Sequence, residues 1–201
     1  MTVSLTRADL LRRGVRGGTA LVAAAGALGA LAETASADAL PTGDLAYARL
    51  LIGAELLAAD FYSQAIAASN SSGAVMKHLK RAYLNEQEHY QSVAGILSGA
   101  LLTPAVSGDI TFTYPAGTFA SEGSILKFAV QLENTILGSY LGAIGGMQTD
   151  SFKGGLASIV ACEAQHCSYF QTQTGLRAFG LSFPPALTIQ DASNAFAAYT
   201  A

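Results

Sequence analysis

The chain has 201 residues, enough for one domain, and a formal charge of −3 at pH 7. Beyond residue 37 no lysine or arginine cluster forms a basic patch that would suggest nucleic-acid binding. Four of the eleven basic residues and two of the fourteen acids precede residue 38, so residues 38–201 carry a formal charge of −5.

The chain opens with a segment that reads as a signal rather than as fold. Arg12 and Arg13 form a basic pair with Arg7 and Arg16 nearby, an uncharged Gly/Ala/Leu stretch runs from Gly17 to Ala32, and Ala35-Ser36-Ala37 offers a small-x-small cleavage site before Asp38. The paired arginines and weakly hydrophobic stretch look like a twin-arginine export signal, although Leu11 precedes the pair and no Phe follows it. An ordinary secretory signal or an uncleaved anchor uses similar residues, but the apolar run is 16 residues, short of the roughly 20 that span a bilayer. Cleavage would leave 38–201 as the mature domain, placed in the periplasm, the cell envelope or outside the cell, with no transmembrane segment.

Helical patterning dominates the remainder. A first helix is expected from near Asp44 to Ser69, stopped by Asn70-Ser-Ser-Gly73, and a second from about Ala74 to Leu97, ending near Gly99. A third is expected from about Ser121 to Gly145-Gly146, and a fourth, capped by Asp150 or Ser151, ending at Gly175. The linker between the second and third contains Ile110-Thr-Phe-Thr-Tyr114, which alternates like a strand, and its length predicts a crossover along the bundle. After Pro184-Pro185 a short helix is expected around Asp191 to Ala198, packed as a lid or an edge. The fold class is therefore all-α: two helical hairpins joined by a long crossover into a four-helix bundle.

Both hairpins carry the same acidic pattern. Glu55 precedes Glu86-Gln-Glu-His89 by 31 residues, and Glu133 precedes Glu163-Ala-Gln-His166 by 30. Residues three apart on a helix share a face, so each Glu-x-x-His can point into one site. All four glutamates lie on apolar stripes: Ala48, Leu51, Ile52 and Ala58 flank Glu55 at helical spacing, and Leu126, Ala129, Ile136 and Leu137 flank Glu133. An unpaired buried carboxylate costs several kcal/mol. Arg49, Arg81 and Arg177, the arginines beyond the leader, lie on no such stripe. Two divalent cations would balance the four carboxylates, and the oxygen and imidazole donors suit iron or manganese, with zinc as a third option. The competing reading is a set of buried acids that are protonated or bonded to tyrosine, or a degenerate site that keeps the residues without metal. Tyr62 and Tyr140 each follow their glutamate by seven residues, on the same face, which makes them candidates for a catalytic role beside the metals as well as ordinary core aromatics.

Other candidates are set aside. Cys162 and Cys167 are five apart on one helix, too far for a mutual disulfide, and read as packing residues. His78 lies roughly 16 Å along the helix from His89 at 1.5 Å per residue, and is expected in solvent. Glu88 is expected to point outward, and Glu122 to sit where a helix dipole favours it.

The stretches Ala54–Tyr62, Asn85–His89, Leu132–Tyr140 and Cys162–His166 resemble the ferritin-like superfamily, and within it the bacterial ferritin-like domain group that includes desiccation-related proteins, over residues 44–174. The resemblance implies a dinuclear centre with Glu55 and Glu133 as terminal ligands, His89 and His166 one per metal, and Glu86 and Glu163 bridging. A Glu-x-x-His on the fourth helix is the arrangement of bacterioferritins and rubrerythrins. No Cys-x-x-Cys for a rubredoxin centre accompanies it. The function expected is that of an exported di-metal protein, with iron foremost, oxidising Fe(II) or reducing oxygen or peroxide in stress protection. The alternative is a non-enzymatic envelope or desiccation-stress protein with a structural or vestigial metal site. Metal ions and oxygen or peroxide are the expected partners, and a homo-oligomer is open.

Overall fold

A computed structural model describes residues 40–178 and 180–200. The proposed export signal, residues 1–37, lies outside the described residues. Five helices follow in order: α1 (Thr42–Ala68), α2 (Gly73–Gly99), α3 (Glu122–Gly146), α4 (Asp150–Gln173) and the short α5 (Ile189–Ala197). Each long helix starts or ends within a few residues of the expected position. α1 stops where Ser69 turns left-handed at φ 55°, directly before the polar Asn70–Gly73 run.

Among the described residues α1 packs on α2 and α3 on α4, while α1–α3 and α2–α4 contacts close the bundle. The order around the bundle is thus α1, α2, α4, α3, which leaves α2 and α3 diagonal to one another. A diagonal link must travel the length or breadth of the bundle, and this explains the long segment between residues 99 and 122. Its expected strand shrinks to one isolated bridge, Phe112 with Thr200. The segment is held by side chains instead: the Tyr114 hydroxyl donates to Asp60 (2.7 Å) and the Tyr90 hydroxyl to the Ala105 carbonyl (2.8 Å). Among the described residues no strand pairs with it beyond the bridge to Thr200, and Ile110, Phe112 and Tyr114 pack against the core.

α1 is long and apolar enough to cross a membrane by length and composition, but 56% of its most apolar window is buried inside the bundle. Ala48, Leu51, Leu57, Phe61 and Tyr62 are its inward face. Apolar area removed from water contributes about 25 cal/mol per Å², and in this bundle it comes from all four long helices.

Two connections escaped the sequence. Asp44 is fully buried in the first turn of α1, and its carboxylate accepts from the amides of Gln148 (2.7 Å) and Thr149 (2.9 Å). The α3–α4 turn is therefore pinned from α1. The cap of α4 is Thr149, whose side chain makes no capping bond, and not Asp150 or Ser151. Asp150 instead pairs with Lys153 at 2.7 Å, where it is exposed. The tail lies across α3 and α1 as a strap: Leu187 donates its amide to the Gly138 carbonyl at 2.8 Å, and α5 buries Ala192 and Phe196.

The strap needs glycine on α3. A Cβ on Gly142 would lie 1.9 Å from the Leu187 carbonyl oxygen, and one on Gly138 would lie 2.8 Å from the Leu187 side chain. The first obstacle is backbone and cannot rotate away. Gly142→Ala is expected to destabilise the protein by about 1–3 kcal/mol, read as a lower midpoint in thermal denaturation, despite alanine's better helix propensity. An unchanged or raised midpoint would show that the strap is not packed this way.

Candidate metal centre

The four long helices bring one glutamate each to the bundle centre: Glu55, Glu86, Glu133 and Glu163, all with no exposed surface. His89 and His166 join them, 8% and 3% exposed. Each histidine lies one helical turn from its own glutamate, as the three-residue spacing requires. The donors form two overlapping groups: Glu55, Glu86, His89 and Glu163, and Glu86, Glu133, Glu163 and His166. Within each group the donor atoms lie within 4.8 Å of one another. Glu86 and Glu163 belong to both.

These groups are close without satisfying one another. His89 Nδ1 lies 2.8 Å from Glu163 Oε1, and His166 Nδ1 lies 3.0 Å from Glu86 Oε1. Yet Glu163 Oε1 and Oε2, Glu86 Oε1, Glu55 Oε2, Glu133 Oε2 and His166 Nδ1 are buried with no aligned hydrogen bond. Proximity is thus Coulombic and not geometric: the lone pairs converge on shared space. Arg49, Arg81 and Arg177 are all exposed and supply no counter-charge. A buried, under-satisfied set of oxygen and imidazole donors fits a cation with oxygen and nitrogen preference, so the cluster is able to hold metal.

The electrostatics without a cation follow from burial. Burial, and then the charge of Glu86, push Glu55 well above the usual carboxylate range. Burial raises Glu133 as well, by more than neighbouring His166 lowers it. Burial works against ionised Glu163 too, but the close His166 and His89 imidazoles outweigh it and hold that carboxyl below the usual range. Both imidazoles bear the converse: burial favours their neutral form, and the surrounding acids and Cys162 overcome it to raise them. Without a cation, burial and the neighbouring charges therefore favour the protonated forms of Glu55, Glu133, His89 and His166.

The tyrosines cross between hairpins. Tyr62 of α1 donates to Glu133 of α3, and Tyr140 of α3 donates to Glu55 of α1. Both are fully buried, and burial followed by the facing carboxylate raises each phenol well above its ordinary value, so the hydroxyls stay protonated donors. Each hydroxyl occupies one oxygen of its glutamate and leaves the other unpaired.

Cys162, set aside on sequence, takes part, and so does Asn85. Asn85 Nδ2 lies 3.0 Å from His166 Nε2, and Cys162 Sγ lies 3.7 Å from the same nitrogen. Burial would raise the Cys162 thiol, but contacts with His166 and His89 lower it overall, so it is more than a packing residue. Cys167 is buried, and both cysteines are free. The available signal was positional: Asn85 and Cys162 each directly precede the glutamate of their Glu-x-x-His. His78 is not in solvent. Its ring stacks on Tyr169 at 3.4 Å and meets Phe170 edge-on, and burial, then the His166 charge, lower it to about 4. Tyr169 and Phe170 of α4 pack over that end of α2. Glu88 is exposed, and Glu122 sits in the first turn of α3, accepting from the Ser72 amide.

A stability profile follows. The raised folded-state values of His89 and His166 stabilise the metal-free fold fully below their ordinary 6.5, and that stability declines as pH climbs from 6.5 toward the folded values. Raised Glu55 and Glu133 act in the same direction from 4.5 upward. Glu163 adds no slope above 6.5, because it is ionised in both states there. The thermal midpoint of metal-free protein is expected to fall steadily from pH 6.5 to about 9, and a midpoint that rises over this interval would contradict the assignment.

Comparison with curated proteins finds no match. A family model described as the ferritin-like domain matches residues 43–176, a span that contains all six converging side chains and, but for Thr42, the four long helices. By that match, together with the bundle and its buried glutamates and histidines, the chain belongs to the ferritin-like family.

Proposed function

We propose that the protein is an exported di-metal protein whose centre takes two divalent cations, iron in the first place, and oxidises Fe(II) or reduces oxygen or peroxide in stress protection. One observation carries this reading: two donor groups that share Glu86 and Glu163 while keeping Glu55 with His89, and Glu133 with His166, separate. That division supports Glu86 and Glu163 as bridges, and Glu55 and Glu133 as terminal ligands. Four carboxylates match the charge of two divalent ions, and the mixture of oxygen and imidazole suits iron or manganese, and zinc as well. Two adjacent iron ions would supply the paired electrons that reduction of oxygen or peroxide requires.

The chain's own residues do the positioning. Tyr62 and Tyr140 hold Glu133 and Glu55 by one oxygen each and orient the other. Metal binding competes with protonation of Glu55, Glu133, His89 and His166, so apparent affinity rises with pH, opposite in sign to the stability of the metal-free fold. Leu51, Ile52, Ile136 and Phe170, each about one turn from a donor on its own helix, are buried apolar neighbours of the centre. Export rests on the arginine pair, the apolar stretch and the Ala35-Ser-Ala37 site, and membership of the desiccation-related group rests on the four quoted stretches.

Anaerobic Fe(II) loading followed by metal analysis is expected to give about two ions per chain, the stoichiometry of a paired carboxylate-histidine site. Glu86→Ala and His166→Ala should each lower that content sharply while the helical circular dichroism persists. No metal in the unaltered protein would sink the proposal. Bound metal without consumption of oxygen or peroxide would make the centre structural. For Tyr140→Phe we expect about tenfold weaker metal binding with the same stoichiometry; unchanged affinity would reduce Tyr140 to a core aromatic.

A further inference from the structure

A groove of about 640 Å³ runs between α1 and α2 beneath the start of the crossover. Its lining includes Glu55, Asp60, Ser63, Tyr83, Gln87 and Gln91, and no lysine, arginine or histidine. Glu55 is the one residue that belongs both to this lining and to the metal-binding donor groups. Its carboxylate has one oxygen engaged by Tyr140 and the other, Oε2, buried without a partner. The second large cavity, about 1030 Å³ beside α4 and the 178–185 segment, touches none of the six donors.

We infer that the α1–α2 groove is the route by which hydrated divalent cations reach the centre, with Glu55 as its inner wall. The inference rests on the metal-binding reading above. Charge selects the solute: Asp60 and Glu55 are the acids of the lining, no base opposes them, and apolar walls focus their field. Size allows it: six waters at about 30 Å³ each need about 180 Å³, well within the groove. Chemistry eases dehydration, because the Gln87, Gln91 and Ser63 side chains offer neutral oxygens to replace coordinated water one at a time. Asp60 is fixed for this role by two donors, Tyr114 (2.7 Å) and Gln64 (2.8 Å). Glu55 has no exposed surface, so the last step requires its side chain to move.

The test is stopped-flow uptake of Co(II), followed by its visible absorption, in the full chain. Ala59→Phe, which fills the groove, is expected to slow uptake about tenfold or more with the final amount bound unchanged. Ser63→Trp, at the exposed rim, provides an independent obstruction should Ala59→Phe fold poorly, and should slow uptake in the same sense. Asp60→Asn should slow uptake and flatten its dependence on ionic strength. Ala164→Phe, in the other cavity, should load at the unaltered rate. Uptake by Ala59→Phe and Ser63→Trp at the unaltered rate overturns the route while leaving the metal centre standing. Failure of the unaltered protein to take up Co(II) at all overturns the centre itself, and the two failures are distinguishable on the same instrument.

Discussion

Four carboxylates and two imidazoles meet at the centre of this bundle with no lysine or arginine among them. Removing such groups from water costs several kcal/mol each unless charge and hydrogen bonding are restored. The cluster restores them only in part: burial and neighbouring charge favour protonation of Glu55, Glu133 and both histidines, the imidazoles favour ionised Glu163, and several oxygens remain unpaired. The surrounding architecture exists to hold that arrangement in place. Each long helix contributes one glutamate, so no helix can shift along its neighbours without misaligning the set.

The tyrosine pair converts a chemical duplication into a mechanical one. Because Tyr62 reaches Glu133 and Tyr140 reaches Glu55, each hairpin holds the acid of the other. Asn85 of α2 repeats the theme at the histidines, touching His166 of α4 and donating to Cys162 of α4. Further out, Asp44 ties α1 to the α3–α4 turn, and the Leu187 strap lies on Gly138 and Gly142. These braces are polar or backbone contacts with defined directions, which apolar packing alone does not supply.

Much of this was legible in the residues. Helix periodicity located all four long helices, since their apolar faces are continuous and their ends are marked by Asn70–Gly73, Gly99 and Gly145-Gly146. The six donors were legible because acids on apolar stripes are costly and need a reason. The strand expected at Ile110–Tyr114 did not form, since alternation reports only that one side is buried and cannot supply a partner strand. His78 was misplaced because rise along one helix says nothing about which other helix covers it.

The sequence by itself determined the all-α class, the two hairpins and the identity of the converging acids and histidines, because periodicity and spacing are local properties of each helix. Only the tertiary structure decided that α2 and α3 are diagonal, that each tyrosine bonds the opposite hairpin's glutamate, that Asn85 and Cys162 touch the histidines, and that Glu55 borders a groove. Those facts depend on how helices are rotated and ordered around the bundle. That order is set by the sum of many apolar contacts and by the crossover, and no short motif encodes it.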